Sequence, residues 1–339
     1  MVLKELCALR GVSGAEAPVR DYILEKVRKT ADHVCVDRMG NVIAFKRGAG
    51  AGPRRHIAFA AHMDEVGLIV VGINDNGLLS YETIGGIDSR VLVSKCVLVG
   101  ENAVPGVIGA KAIHLQSAEE RRRVLGHGDL YIDIGAKDKK AAEELVSPGD
   151  YVSFDSEWVE FGEGLVKSKA LDDRVGCMTM LSLLEEEYPC DLTCVFTVQE
   201  ETGLRGAKTA ACAVNADAVI VLEGTTSNDL GDVEDHLKVC RVGAGAVISF
   251  MDKASIGARR LFEALKSTAR EGNISWQLKK YVSGGNDTGA LQTNAGARAT
   301  GVISVPCRYI HSHSSVASFA DIEAQYLLAH RFLSQGGEF

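Results

Sequence analysis

The order of apolar runs constrains this chain more than any other feature. From about residue 165 onward, helix-like and strand-like runs alternate. The spacing predicts helices over 173–187, 205–213, 255–270 and 321–334, and strands over 192–198, 217–222, 274–282 and 301–305. Val175, Met178, Leu181 and Leu184 recur on one side of the first of these helices. Residues 1–67 share the character. A short helix runs into the turn Gly11-Val12-Ser13-Gly14, then an amphipathic helix covers about 16–30, with Pro18 in its first turn where a missing N–H does no harm. The runs Val34–Val36, Val42–Phe45 and His56–Ala61 follow. Between these two parts the texture changes. Leu68–Val71, Val91–Val99, Val107–Ile108, Leu130–Ile134, Tyr151–Phe154 and Trp158–Phe161 are short β-type runs punctuated by Gly, Asp and Asn, with one helix expected over 138–146. The expected fold is α/β: a layered domain made of 1–68 plus 165–339, interrupted by an inserted, small β-rich domain at 69–164.

Composition narrows the function classes. At 339 residues the chain is long enough for about two domains. With 46% apolar and 24% charged residues it has ordinary globular usage, which argues against wholesale disorder. A net charge of −8 without a basic run argues against nucleic-acid binding. No run approaches the ~18 apolar residues of a membrane span, and Glu5 and Arg10 interrupt any signal-peptide core. The nine cysteines form no CxxC pair, which suits reduced thiols in a cytoplasmic protein and disfavours a zinc–thiolate site. The glycine-rich stretch Gly48-Ala49-Gly50-Ala51-Gly52-Pro53 lacks the Lys-Ser/Thr of a phosphate loop and opens no helix, so a hairpin loop is expected there.

Chemistry collects where apolar runs stop. His56–Ala61 runs into His62-Met63-Asp64, Leu192–Gln199 into Glu200-Glu201, Ala218–Leu222 into Glu223, and Gly301–Val305 leads to His311. Asp172-Asp173 precedes the helix of 173–187. Taken singly each has an ordinary explanation: a His-x-Asp surface pair, a solvated Glu-Glu turn, an Asp cap on a helix, histidines in an exposed loop. Repeated placement at strand ends is different, because sites in open α/β sheets form outside the carboxyl ends of the strands. Carboxylate and imidazole donors without thiolate suit two divalent ions such as Zn²⁺, Co²⁺ or Mn²⁺ sharing a bridging carboxylate. A further carboxylate would stay unliganded to take a proton from water. The His62–Asp64 spacing allows a ligand with a carboxylate that orients it.

Five ordered motifs carry a family resemblance over nearly the whole chain. They are Ala61-His62-Met63-Asp64-Glu65-Val66-Gly67, Lys169-Ala170-Leu171-Asp172-Asp173-Arg174, Gln199-Glu200-Glu201-Thr202-Gly203-Leu204-Arg205-Gly206, Ser283-Gly284-Gly285-Asn286-Asp287-Thr288-Gly289-Ala290 and Pro306-Cys307-Arg308-Tyr309-Ile310-His311-Ser312. With these the chain resembles the tetrahedral/deblocking (glutamyl-type) aminopeptidases, dinuclear metallopeptidases. The resemblance implies a three-layer mixed-sheet metallopeptidase domain. It also implies that Asp172 bridges two metal ions, that His62 and Glu223 complete one ion's protein ligands, and that Glu201 and His311 complete the other's. Glu200 is then the general base, Asp64 orients His62, and the peptide after Asp172 is cis. Glu223 departs from the family pattern, where Asp is common. The inserted domain is implied to mediate dimerisation, with dimers assembling into a tetrahedral dodecamer that admits short peptides.

Rival readings are a carboxypeptidase or N-deacylase with the same ligand set, a glycosidase using Glu200 with Asp172, and a non-enzymatic assembly with a degenerate site. The residue preference at the substrate's N-terminus is open. Asp229, Asp232 and the net charge hint at basic or neutral residues, and Asp287 is equally suited to lining the site or capping the helix after it.

Overall fold

Side-chain alternation along the apolar runs sets the layers. On one strand Ile57, Phe59 and Ala61 join the larger core, while Ala58 and Ala60 join a smaller core on the opposite side. A strand buried on both faces belongs in the middle of a sheet covered by helices on each side. The computed structural model describes residues 1–231, 233–294 and 297–339 and has this arrangement; Asp232 lies outside the described residues.

The chain opens with helices α1 (Val2–Ala8) and α2 (Ala17–Val27), then strands β1 (His33–Val36), β2 (Val42–Lys46) and β3 (His56–His62). Strands β4 (Gly67–Ile73), β5 (Leu79–Ile84), β6 (Cys96–Val99), β7 (Val104–Ala110) and β8 (Leu130–Asp133) come next, followed by the short α3 (Lys139–Glu143) and β9 (Tyr151–Phe154). After β10 (Val159–Phe161) and β11 (Leu165–Ser168), α4 (Leu171–Glu185), β12 (Asp191–Thr197), α5 (Arg205–Ala210) and β13 (Ala218–Thr226) restore the alternation. The chain ends with β14 (Ala246–Ser249), α6 (Arg259–Glu271), β15 (Trp276–Leu278), α7 (Thr288–Thr293), β16 (Ala299–Cys307), β17 (Ser315–Ser318) and α8 (Phe319–Ser334).

Eight strands form one mixed sheet in the order β1-β2-β12-β3-β13-β16-β14-β15. Its centre, β12, β3, β13 and β16, is parallel, so four strands carry their carboxyl ends to one rim. Helices α4, α6 and α8 cover one face through Met180, Leu184, Leu265, Leu328 and Phe332. Burying an aromatic such as Phe59 there contributes about 1.5–3 kcal/mol. Helices α5 and α7 cover the other face with small residues, Ala207, Ala210 and Ala290, that let them sit close to the sheet. The fold is therefore three-layered α/β. Strands β4 to β9 close a separate barrel in the order β4-β5-β8-β7-β6-β9, with its own core of Leu68, Val70, Leu79, Val97, Ile108, Ile132 and Phe154. Strand β10 pairs with β11, and β11 pairs with β17 near the chain's end.

One expectation is corrected. The glycine-rich stretch 48–53 is not a hairpin loop: β12 lies between β2 and β3, antiparallel to one and parallel to the other. The link must cross the end of β12, and a bulkier Cβ at Gly48 or Gly50 would meet the backbone of Cys190 or Pro189 within 2.5 Å.

Candidate active site

His62 is the last residue of β3, opposite Thr197 at the end of β12. Glu200 and Glu201 follow β12 by three and four residues. Glu223 lies inside β13, beyond the stretch that pairs with β3, and His311 follows β16. The parallel centre of the sheet thus brings these residues to a single rim. Several non-glycine residues flanking or within the rim hold left-handed backbone: Ala170 (φ 54), Gln199 (φ 53), Tyr309 (φ 58) and His311 itself (φ 56). Such conformations cost of order 1–3 kcal/mol each and persist only where the surroundings enforce them. The Asp172–Asp173 peptide is cis.

Asp172 lies between the two imidazoles. Its Oδ1 is 3.5 Å from His62 Nε2, and its Oδ2 is 3.8 Å from His311 Nε2. On the first side Glu223 Oε2 lies 3.9 Å from His62 Nε2; on the second, Glu201 Oε2 lies 3.3 Å from His311 Nε2. Donor atoms of His62, Asp173 and Glu223 lie within 4.8 Å of one another, as do those of His62, Asp172 and Glu201. Asp173 is the member that reading the sequence did not single out as a ligand. Its Oδ1 accepts the Gly176 N–H at 3.1 Å, and its Oδ2 has no hydrogen-bond partner.

Asp64 does more than its spacing suggested. The nearer group to His62 Nδ1 is the Asp64 main-chain carbonyl at 3.1 Å, with the carboxylate at 3.5 Å. Both accept the proton on Nδ1 and so turn Nε2 toward Asp172 and Glu223. The carboxylate also accepts the N–H of Glu200 at 3.0 Å, the N–H of Glu201 at 3.2 Å and the Ser13 hydroxyl at 2.6 Å. One buried side chain therefore ties the end of β3 to the Glu-Glu pair and to the N-terminal turn. No spacing rule encodes those main-chain contacts.

The electrostatics favour cations. Burial pushes Glu200 and Glu223 well above the usual carboxylate range, with Asp287 adding to the first and Asp173 to the second. Burial raises Glu201 to about 7, His311 opposing and Asp172 reinforcing. Burial disfavours a charged His62, yet hydrogen bonds to Asp172 and Asp64 outweigh it and raise its pKa well above the ordinary imidazole value. Burial opposes ionisation of Asp172 as well, but the His62 contact holds it low. Packing this many carboxyls out of water costs several kcal/mol unless positive charge compensates. Glu223 Oε1, buried without a hydrogen-bond partner, is an unused donor of the kind a metal ion takes up. Two imidazoles with carboxylates and no thiolate match divalent ions. The residues present fit such a group.

A cavity of about 450 Å³ opens on this cluster. Thr225, Thr226, Ser249, Asp252, Lys279, Ser283 and Asn286 line it together with His62, Glu200 and Glu223. Asp229, weighed as a substrate contact, instead holds Arg308 through two bonds of 2.7 Å. Asp287 neither caps α7 with its side chain nor lines this cavity: it accepts the Thr197 hydroxyl at 2.5 Å and is buried. The cysteines are all free, and none belongs to the cluster.

The sequence profile of the M42 glutamyl aminopeptidases matches residues 40–328. A putative aminopeptidase of Acetivibrio thermocellus is 36% identical over 323 residues, covering 95% of this chain and 94% of that protein. The lysyl aminopeptidase of Pyrococcus furiosus is 29% identical (98% and 96% covered), and the glutamyl aminopeptidase of Lactococcus lactis subsp. cremoris 30% (96% and 93%). Among solved structures, an aminopeptidase of the archaeon Desulfurococcus kamchatkensis superposes with a TM-score of 0.93 at 35% identity, covering 98% of this chain and 93% of that one. The TET1 peptidase of Pyrococcus horikoshii, which assembles into a tetrahedron or a large octahedral shell, gives 0.85 at 33% identity with 98% of each chain covered. The chain belongs to the M42 glutamyl aminopeptidase family. It is an aminopeptidase, a hydrolase acting on peptides.

Proposed function

We propose that the enzyme removes N-terminal residues from short peptides with two divalent metal ions, Zn²⁺, Co²⁺ or Mn²⁺, held by His62, Asp172, Glu201, Glu223 and His311. The observation that carries this reading is the placement of Asp172, one oxygen toward each imidazole at 3.5 and 3.8 Å, with a second carboxylate on either side. Bound there, the ions would supply Lewis-acid polarisation of the scissile carbonyl and acidify a water.

Glu200 is the proton carrier. Its backbone is fixed by Asp64, and its carboxyl is held above the usual range by burial and by neighbouring carboxyls. A carboxylate raised in this way is a stronger proton acceptor than an ordinary one, which suits taking a proton from the attacking water and returning it to the leaving amine. Glu201 and Glu223 contribute negative charge at the rim, which suits a free α-ammonium and so an aminopeptidase.

The barrel is the proposed pairing surface. Its excursion between β7 and β8 exposes Ile113, Leu115 and Val124 at 63–70%, apolar side chains that gain by burial against a second copy. Assembly of such dimers into a closed shell, as described for the P. horikoshii relative, would limit substrates to short peptides. No helix among the described residues is long and apolar enough to cross a membrane, and a cytoplasmic enzyme is the proposed setting.

The test is a set of aminoacyl chromogenic amides with free or acetylated amines. Turnover restricted to free amines, lost on chelation and restored by Co²⁺, Zn²⁺ or Mn²⁺, is expected. Glu200→Gln should lower kcat by at least about 10²-fold while calorimetry still records two bound metal equivalents. Cleavage of acetylated amides, or activity that survives metal removal, would overturn the reading.

A further inference from the structure

A second cavity, of about 600 Å³, lies between the N-terminal turn and the barrel and shares no lining residue with the cavity at the metal-ligand cluster. One wall is the turn after α1 and the start of α2; the other is Gly100, just after β6, and the segment that enters β9. Val152 and Phe154 belong to the barrel core, so Tyr151 and Ser153, which alternate with them, face the turn. An added Cβ at Gly14 would meet the Tyr151 hydroxyl at 2.6 Å, which places that hydroxyl directly against the turn. Ser153 is 4% exposed, and its hydroxyl has no hydrogen-bond partner. A buried polar group in that condition calls for a partner from outside the chain.

Two opposite charges border this cavity at a single residue, Gly100, without pairing with each other. Arg10 reaches from the turn to the barrel: its Nη1 donates to the Gly100 carbonyl at 2.6 Å and its Nη2 to the Glu101 carbonyl at 2.9 Å. Both acceptors are neutral carbonyls, and among the described residues Arg10 forms no ion pair. A guanidinium has more N–H donors than these two bonds use, so capacity for an anion remains. At the same residue, an added Cβ on Gly100 would meet Asp150 Oδ2 at 2.9 Å. That oxygen accepts the Ser147 N–H at 2.9 Å, and among the described residues Oδ1 accepts no hydrogen bond. Glu101 also borders the cavity, with an exposed side chain.

We infer that this cavity is a second, non-catalytic binding site, and that its ligand is a free α-amino acid with an apolar side chain. Such a molecule carries a carboxylate and an ammonium on one carbon atom, and Arg10 and Asp150 present the complementary pair beside one residue. Charge-assisted bonds hold both ends, the carboxylate on the unused N–H groups of Arg10 and the ammonium on Asp150 Oδ1. The Ser153 and Tyr151 hydroxyls supply further polar partners, and Ala15, Ala17 and Pro18 leave an apolar wall for the side chain. A peptide sets its two end charges on different residues and lacks this match. Free amino acids are what an aminopeptidase releases, so the ligand is of the product class. The turn that forms one wall carries Ser13, whose hydroxyl is held by Asp64 at 2.6 Å, and an occupant therefore braces the segment behind the metal-ligand cluster. The inference goes beyond the two-metal reading and does not depend on which residues bind the ions.

The test is calorimetric titration of L-leucine into the metal-loaded enzyme and into its Arg10→Leu, Asp150→Asn and Ala17→Trp variants. Ala17→Trp fills the cavity and leaves every bond described above in place, so it carries the test where loss of Arg10 unsettles the fold. The wild type is expected to bind leucine at a site that N-acetyl-leucine and isoamylamine, each lacking one of the two charges, do not fill. Each variant should weaken that binding by at least about tenfold, the usual cost of losing a hydrogen bond to a charged group or the space for the ligand. Their kcat and KM on a free-amine amide should stay at the wild-type values, which separates this site from leucine held at the metal cluster. Absence of leucine binding, an isotherm identical in the wild type and all three variants, or equal binding of N-acetyl-leucine overturns the assignment. The decisive readout is binding, so a failure of the two-metal reading leaves this test standing.

Discussion

The imidazole Nδ1 of His311 lies 3.0 Å from the main-chain carbonyl of Gly86, a residue of the link between strands β5 and β6 of the barrel. His311 is the most exposed member of the cluster, its side chain 37% accessible against 9% or less for His62, Asp172, Glu201 and Glu223. The barrel thus supplies the contact that turns the least enclosed imidazole toward Asp172 and Glu201. Gly85, at φ +83, passes so close to the cluster that an added Cβ would meet Val66 Cγ1 at 2.7 Å and Glu201 Cβ at 3.4 Å. Gly85→Ala is expected to weaken one metal equivalent by about 10–100-fold, the usual cost of disturbing a group that orients a ligand, and to leave the other near its wild-type affinity. Isothermal titration of Zn²⁺ or Co²⁺ into the metal-free protein reads both equivalents. Two wild-type affinities in the variant would show that the barrel loop has no hold on the site.

Asp64 is expected to be as important for cohesion as for chemistry. Asp64→Asn replaces one accepting oxygen with an amide that cannot receive an N–H, so a bond from Ser13, Glu200 or Glu201 is lost inside the protein. A stability loss of about 1–3 kcal/mol follows from the orphaned buried donors. Urea unfolding of the metal-free variant measures it free of any metal effect. A variant as stable as the wild type would mean that water or a shifted backbone satisfies those groups.

The parts of this site that could be read from sequence are those encoded in side chains at the ends of apolar runs. His62 and Glu223 interrupt long stretches of Ile, Val, Leu and Ala, and a charged residue in that setting stands out. The Gly86 carbonyl and the N–H groups held by Asp64 have no side-chain signature, so their contributions emerge only from the fold. Lys279 was unremarkable for a similar reason: a lysine after a three-residue strand looks like any surface lysine until its main-chain bond to β14 places it on the cavity wall. In the fold itself, the parallel central strands β3, β12, β13 and β16 were plain, while the buried β14, Ala246–Ser249, went unassigned. Strand β5, with polar Ser80, Glu82 and Thr83, and β17, a Ser-Val-Ala-Ser segment, were not anticipated because neither forms a continuous apolar run. The order β2-β12-β3 was hidden because a strand more than a hundred residues away enters between two sequence neighbours.

Asp321 provides a pH test away from the metal cluster. At the start of α8 it accepts the N–H groups of Gly243 at 2.5 Å and Gly245 at 2.6 Å. Burial nevertheless raises its pKa to about 6, the two N–H bonds opposing. A carboxyl near 6 in the folded chain and near 3.8 when unfolded binds more protons folded than unfolded in that interval. Its contribution is therefore full below pH 4 and is lost as the pH rises through 6. The stability difference between wild type and Asp321→Asn should move in favour of the variant from pH 4.5 to pH 6.5, as read by urea unfolding. A difference that is flat across this range, or that moves the other way, would place the charged carboxylate as the form the fold prefers.

The buried ion cluster behind the site yields the last prediction. Glu65 accepts Lys169 Nζ at 2.7 and 2.8 Å and the Gly11 N–H at 2.9 Å, and Arg174 NH2 lies 3.6 Å from it. Lys169 also donates to the Leu9 carbonyl at 2.7 Å, and Arg174 bonds the Leu6 carbonyl. Two cations and one anion thus clamp the first residues of the chain to the segment that carries Asp172. Burial, reinforced by Arg174 and opposed by Glu65, lowers the Lys169 pKa, so the lysine depends on its carboxylate for its charge. Glu65→Met strands two buried cations and is expected to cost about 3–5 kcal/mol. Adding Lys169→Met removes one of the stranded charges and should recover part of that loss, because an apolar pair of similar volume often replaces an ion pair at little cost. Urea unfolding of both single variants and the double variant closes the cycle. A double variant whose loss equals the sum of the single losses would show that Glu65 and Lys169 act independently, and that Arg174 alone supports the carboxylate.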